Sequence, residues 1–218
     1  MLLAGCANDV PDESRASQPT LTTPSATRSA PPATSTTTSG APTKAPAAGA
    51  AISEVISWIE AGKPADPATF HSATLDGTTT QIGDGVAFIT AGTEAACMTN
   101  KYFDGELSCL VKLTNPPPRP PDFPSAWKNN WVDFSGTSVE IGSPHGDPGP
   151  FVVGTGAELP AGQTLAFGDY RCRADAAGLF CVNYAHQSAV VMSEAGVEPF
   201  GCLQKATPPP DIGRQFKC

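Results

Sequence analysis

Three histidines are the side chains of this 218-residue sequence best suited to acid–base chemistry near neutral pH: His71, His145 and His186. His145 lies in the Gly- and Pro-rich segment 143–149, two residues before the carboxylate of Asp147. Hydrolysis by such a pair would also need a nucleophile and a bond that orients the base, and no Gly-x-Ser-x-Gly motif supplies the nucleophile. We therefore expect a solvated turn at His145, and a hydrolase that uses His145 or His186 is the alternative.

Two tryptophans four residues apart, Trp127 and Trp131, are the best candidates for contact with a ligand. If the segment is an extended strand, its period of two places both rings on one face, where they would form a stacking platform for a sugar or a peptide. The other interpretation is that both rings fill the core of a small domain. His186 is a further candidate for ligand contact, with a hydrogen-bonded structural role as its alternative.

The seven cysteines fall into two groups, one cysteine suited to lipidation and six suited to disulfide bonds. The segment Leu3-Ala4-Gly5-Cys6 has the form of a bacterial lipobox, in which small residues precede the cysteine that becomes the lipidated N-terminus. The sequence therefore predicts lipidation at Cys6, with residues 1–6 as the remnant of a signal peptide. Only five residues precede Cys6, fewer than a signal peptide needs, so we expect either that the true translation start lies upstream or that most of the signal peptide is missing from this sequence.

The other six cysteines fit a framework of three disulfides in an exported domain. Cys97 and Cys109 flank Asp104-Gly105, a hairpin signal, and Cys172 and Cys181 flank the turn-prone residues 175–178. Facing residues of an antiparallel pair lie at a separation that suits a disulfide. The sequence thus predicts Cys97–Cys109 and Cys172–Cys181, and it leaves Cys202–Cys218 by elimination. No Cys-x-x-Cys or paired-His spacing indicates a metal site, and no cofactor is predicted.

The composition separates a linker from a domain. In residues 7–50, 32 of 44 positions are Ala, Thr, Pro or Ser, and every aromatic residue lies at or after Trp58. Such a segment buries too little apolar surface to fold, so we predict a disordered linker, either a plain tether or a stalk that carries O-linked sugars. The linker has no net charge, so the whole net charge of −8 belongs to residues 51–218. An acidic domain argues against a nucleic-acid partner.

Residues 51–218 are predicted to form a mainly β domain. Apolar residues recur at helical spacing from Ile52 to Ile59, and Gly62 and Pro64 follow, which indicates one N-terminal helix. The rest predicts a disulfide-stapled antiparallel sandwich or small barrel. The predicted strands are the two cysteine hairpins and the segments 86–90, 131–134, 138–141, 151–153, 165–167 and 189–192.

The order of these features resembles an actinobacterial family of exported domains of unknown function. The elements that carry the resemblance are the two cysteine hairpins, the Pro-rich segment 116–120, Trp127 and His186. The fuller chain resembles the mycobacterial Lpp-type envelope lipoproteins over most of residues 50–218. The resemblance implies an exported, membrane-attached protein and brings no established activity.

Together these features predict a lipoprotein on the extracytoplasmic face of the cell membrane, held there by the lipid on Cys6. Its expected role is that of a non-catalytic binding or scaffold module at the cell envelope, with an envelope protein or a glycan as partner. An envelope hydrolase is the alternative.

Overall fold

The computed structural model describes residues 42–124 and 126–218. The predicted lipobox and residues 7–41 of the predicted linker lie outside this part of the chain. In it the α-helix α1 spans Ile52–Glu60, and two 3₁₀ helices span Pro67–Phe70 and Gly149–Val153. The strands β1 to β16 span, in chain order, Lys63–Pro64, Ser72–Leu75, Thr78–Gln81, Ala87–Thr90, Ala95–Asn100, Glu106–Val111, Trp127–Phe134, Ser138–Pro144, Ala157–Glu158, Gln163–Phe167, Tyr170–Asp175, Gly178–Asn183, Ser188–Ser193, Gly196–Gly201, Gln204–Ala206 and Arg214–Lys217.

Two large sheets share one core, so the predicted mainly β sandwich with one helix is confirmed. The six-stranded sheet has the order β1-β10-β11-β12-β13-β14, and the eight-stranded sheet has the order β15-β16-β8-β7-β6-β5-β4-β9. Most neighbours are antiparallel, but β1 pairs with β10 and β4 with β9 in parallel. The strand predicted at 151–153 was wrong: these residues end a 3₁₀ helix that has a proline at its start, where a ladder would lose an N–H donor.

All three predicted disulfides are present. Cys97 and Cys109 are directly opposed on β5 and β6, and Cys172 and Cys181 are directly opposed on β11 and β12. These four residues are buried in the core that the two sheets share. Each sheet therefore has one cross-strand bridge on its inner face. The third bridge, Cys202–Cys218, joins two exposed residues outside that core.

The outer face of the six-stranded sheet is covered by α1. Val55, Trp58 and Ile59 of the helix pack on apolar side chains of β12 and β13. Ala45 and Ala50, within the predicted linker, also pack against this cluster, so the packed part of the chain begins before the helix. No helix among the described residues is long and apolar enough to cross a bilayer.

The outer face of the eight-stranded sheet is covered differently, by the β2–β3 hairpin and the 3₁₀ helix Gly149–Val153. A third apolar cluster, which includes Trp131, lies beneath them. Thr155 joins the hairpin to the sheet: it exchanges backbone hydrogen bonds of 2.8 and 3.1 Å with Thr74, and the next strand, β9, pairs with β4. The flanking Gly154 and Gly156 have no room for a side chain, since a Cβ atom would lie 2.0 and 1.9 Å from backbone oxygens.

Candidate functional site

The two predicted contact tryptophans do not form an exposed platform. Both lie on β7, but the pairing with β8 shifts between Lys128 and Val132, so an even spacing no longer guarantees a common face. Trp131 is fully buried in the third apolar cluster, which removes it as a surface contact in this conformation. Trp127 is half-buried and packs edge-on against Phe123, with ring centroids 6.0 Å apart.

His145 stacks on the buried Trp131. The ring centroids are 3.6 Å apart, and His145 Nε2 lies 3.9 Å from Oδ2 of Asp133 on β7. Burial, and then the positive charge of Lys128, lower the pKa of His145 below its usual value. Asp147, the neighbour that sequence spacing suggested, instead accepts a 2.7 Å hydrogen bond from the backbone N–H of Gly149. The carboxylate nearest to the His145 ring thus comes from the neighbouring strand β7, while Asp147 opposes the lowering of the pKa through its charge.

Asp133 belongs to a row of polar side chains on the outer face of the eight-stranded sheet. Its Oδ1 accepts hydrogen bonds from Ser108 Oγ (2.6 Å) and from Trp131 Nε1 (2.8 Å), while burial raises its pKa. Burial, and then the charges of Asp133 and Glu140, raise the pKa of Glu106 to about 8. Glu106 is therefore largely protonated at neutral pH, and this face carries less negative charge than its composition implies.

This cluster does not have the geometry of a hydrolytic triad. In a triad the imidazole accepts the proton of the nucleophile and the carboxylate orients the imidazole. Here the hydroxyl of Ser108 donates to Asp133 and is fully buried. The 3.9 Å between His145 and Asp133 is also longer than a hydrogen bond. The described residues thus do not place a nucleophile on His145.

His186 lies in the exposed turn between β12 and β13. Its backbone N–H donates a 3.1 Å hydrogen bond to Asn183 Oδ1. Its ring lies beside Gly136, which precedes β8, whereas His145 follows β8. The two histidines of the hydrolase alternative therefore lie at opposite ends of a seven-residue strand and cannot share one site.

A groove of about 580 Å³ lies at the end of β5, and sequence reasoning missed it. Four segments line it: the end of β3 with the loop after it (80–85), the end of β5 with the turn after it (98–105), the 3₁₀ helix Gly149–Val153 and the turn 167–170. These segments are far apart in sequence, so only the fold brings them together. The single available signal was the turn itself, where Tyr102-Phe103-Asp104-Gly105 places two aromatic residues at a hairpin tip.

The groove is acidic and has apolar side chains beside it. Asp84, Asp104 and Asp169 line it with one cation, Lys101. Among the ion pairs between the residues that the structure describes, none involves these three aspartates. Val152 in the lining is 53% exposed, and Tyr102 and Phe103 in the adjoining turn are each 64% exposed. Exposed aromatic rings next to a concave surface are typical of a binding site.

Comparison of the chain with protein-family models, with curated proteins and with solved structures finds no match. In residues 42–124 and 126–218, no group of three or more His, Cys, Asp or Glu side chains has the arrangement of a metal site.

Proposed function

We propose that the chain is a lipid-anchored extracytoplasmic lipoprotein that acts as a non-catalytic binding or scaffold module at the cell envelope. The attachment rests on the lipobox at Leu3–Cys6. Three disulfides support an oxidising compartment, because such bonds are rare in cytosolic proteins.

The observation that carries the binding role is the groove at the end of β5. It combines a concave shape with three aspartates, and the exposed rings of Tyr102 and Phe103 belong to the adjoining turn. A binding role accounts for apolar rings in water and for like charges gathered in one place, neither of which stabilises the free protein. We assign the partner contact to this groove in place of Trp127, Trp131 and His186.

Site-specific photo-crosslinking tests this role. The full chain is produced in its native envelope with a photo-reactive phenylalanine analogue at Val152, which is exposed in the groove. A matched variant carries the analogue at Glu198, which is exposed on β14. We expect discrete crosslinked adducts from position 152 and none from position 198. Equal adducts from both positions, or none from either, would contradict a binding role for the groove.

The anchor has its own test, mass spectrometry of the mature N-terminus after expression from an upstream start. A diacylglyceryl thioether on Cys6 is the expected result. An unmodified Met1, or a free Cys6 thiol in membrane extracts, would contradict the anchor.

A further inference from the structure

We infer that the groove binds an extended peptide segment rich in lysine or arginine, which adds a strand to the edge of β3. This inference rests on the proposed function, because it specifies the chemistry of the partner at the same groove. Three observations carry it: a free strand edge, an excess of negative charge and two exposed aromatic rings.

The free edge belongs to the β2–β3 hairpin, a two-stranded sheet in which β2 is the one neighbour of β3 among residues 42–124 and 126–218. Thr74 of β2 directs its backbone groups to Thr155, so its cross-strand partner Thr79 directs its own away from β2. Gln81, two residues on, faces the same way and also lines the groove. The backbone of β3 thus presents the unpaired donors and acceptors that an added strand needs.

The other sheet edges carry the devices by which natural proteins block added strands. The six-stranded sheet ends at Lys63–Pro64 on one side and at β14, with Glu198 and Pro199, on the other. The eight-stranded sheet ends at β15, which carries Lys205, and at β9, which has two residues. By contrast, β3 reads Thr-Thr-Thr-Gln, without charge or proline. Of the edges that the structure describes, β3 is the one best suited to receive a strand.

Charge selects the peptide. Asp84, Asp104 and Asp169 face one cation in the groove, Lys101, and that cation lies 5.1 Å from the ring centre of Tyr102. A lysine or arginine side chain would meet carboxylates that have no ion-pair partner in the described chain. The same side chain could place its aliphatic stem on the rings of Tyr102 and Phe103. An acidic or neutral strand would use the edge but leave the aspartates unpaired.

Peptide binding to the full chain tests the inference, with fluorescence anisotropy as the measurement. The probe is a fluorescein-labelled peptide of seven residues in which valine alternates with lysine, and its twin has glutamate in place of each lysine. We expect the lysine peptide to bind at least about tenfold more tightly than its twin, with an affinity that falls as salt rises. A third probe, the lysine peptide with alternate backbone nitrogens methylated, should bind at least about tenfold more weakly because it cannot pair with the strand edge.

Two triple variants separate local charge from net charge. Asp84→Asn, Asp104→Asn and Asp169→Asn together remove the groove charges, while Asp122→Asn, Glu198→Gln and Asp211→Asn remove three exposed charges elsewhere. The groove variant should weaken lysine-peptide binding at least about fivefold, and the control should stay within about twofold. Equal binding of the lysine and glutamate peptides, equal effects of the two variants, or no peptide binding would overturn the inference. If position 152 still crosslinks in those cases, the binding role stands and only the ligand class is wrong.

Discussion

The two sheets of the sandwich differ most on their outer faces. On the six-stranded sheet, α1 lays Val55, Trp58 and Ile59 on a continuous apolar surface. On the eight-stranded sheet, a hairpin and a short 3₁₀ helix cover one apolar cluster, and polar groups such as Asp133 and Glu106 occupy the rest of the face. A helix can close a sheet face with one apolar stripe, whereas turns and a short hairpin leave gaps between them. The groove lies beside this cover, and the turn between β10 and β11 of the six-stranded sheet completes its lining.

On the helix-covered face, the buried cation Arg173 contacts α1. The guanidinium of Arg173, on β11, lies 3.6 Å from the ring centre of Trp58. It also donates a hydrogen bond to the backbone carbonyl oxygen of Trp58. A cation–π contact of this kind is worth more when it is shielded from water. One tryptophan therefore joins the helix to the sheet both through apolar contact and through charge.

The largest expected effect is on the helix-covered face. Trp58→Ala should lower the free energy of unfolding by about 3–5 kcal/mol, because it opens a cavity over Phe180 and leaves Arg173 without its ring. Urea unfolding followed by circular dichroism measures this loss. Ser57→Ala, on the exposed side of the same helix, is the control and should change stability by less than about 0.5 kcal/mol. A loss below about 1 kcal/mol for Trp58→Ala would show that the helix is not what stabilises this face.

Removal of a disulfide should lower stability by the next largest amount, and by the same amount in each of the two sheets. Replacing Cys97 and Cys109 by alanine, or Cys172 and Cys181 by alanine, should cost about 3 kcal/mol in either case, because the bridges close loops of similar length, with separations of 12 and 9 residues. Thermal melts of both variants, and of the native chain with and without reductant, measure these losses. Melts that superimpose with and without reductant would contradict a stabilising role for the bridges. If the two variants lose markedly different amounts of unfolding free energy, the two sheets differ in their shared core as well as on their outer faces.

On the outer face of the eight-stranded sheet, we expect a smaller change that increases stability. The pKa of Glu106 rises from 4.5 unfolded to about 8 folded. Between these two pH values Glu106 holds a proton in the folded state more often than in the unfolded state. The free energy of unfolding therefore falls as pH rises through this window. Glu106→Gln should therefore stabilise the protein at pH 9 by about 1–2 kcal/mol, after allowance for solvent screening, and should have little effect at pH 4.

Urea unfolding at pH 4, 6 and 9 checks this pH dependence. Glu198→Gln, at an exposed site on β14, is the matched control and should show no such trend. A Glu106→Gln variant that loses stability at pH 9 would mean that the polar face holds the carboxylate in its ionised form.

The smallest effect on stability should accompany a clear effect on binding. Replacing Tyr102 and Phe103 together by serine should change the free energy of unfolding by less than about 0.5 kcal/mol, because both rings are mostly exposed. The same change should reduce crosslinking from position 152 several-fold, since it removes the exposed rings of the turn that adjoins the groove. A large loss of stability with unchanged crosslinking would mean that the two rings stabilise the fold and do not contribute to binding.

The sequence predicts the helix, the strand class and the two hairpin bridges because each depends on local pattern, and the third bridge follows by elimination. Helical spacing from Ile52 and turn signals between Cys97 and Cys109 are short-range information. The site depends on contacts that no spacing encodes. Asp133 reaches His145 only through the register of β7 and β8, and the bulge after Lys128 separates the faces of two tryptophans that simple alternation places together. The β2–β3 hairpin was missed because its strands are short and polar, although Asp76-Gly77 is a standard turn signal.

At Gly154 and Gly156, contacts between backbone atoms alone set the distance between the β2–β3 hairpin and the eight-stranded sheet. Their backbone lies against Thr74 and Ala87 with no room for a side chain. In a saturation mutagenesis library, these two glycines should be intolerant of every substitution, while the exposed groove residues beside them should accept many. Such a library would allow the specificity of the groove to be redesigned through its side chains while the width of the groove stays constant.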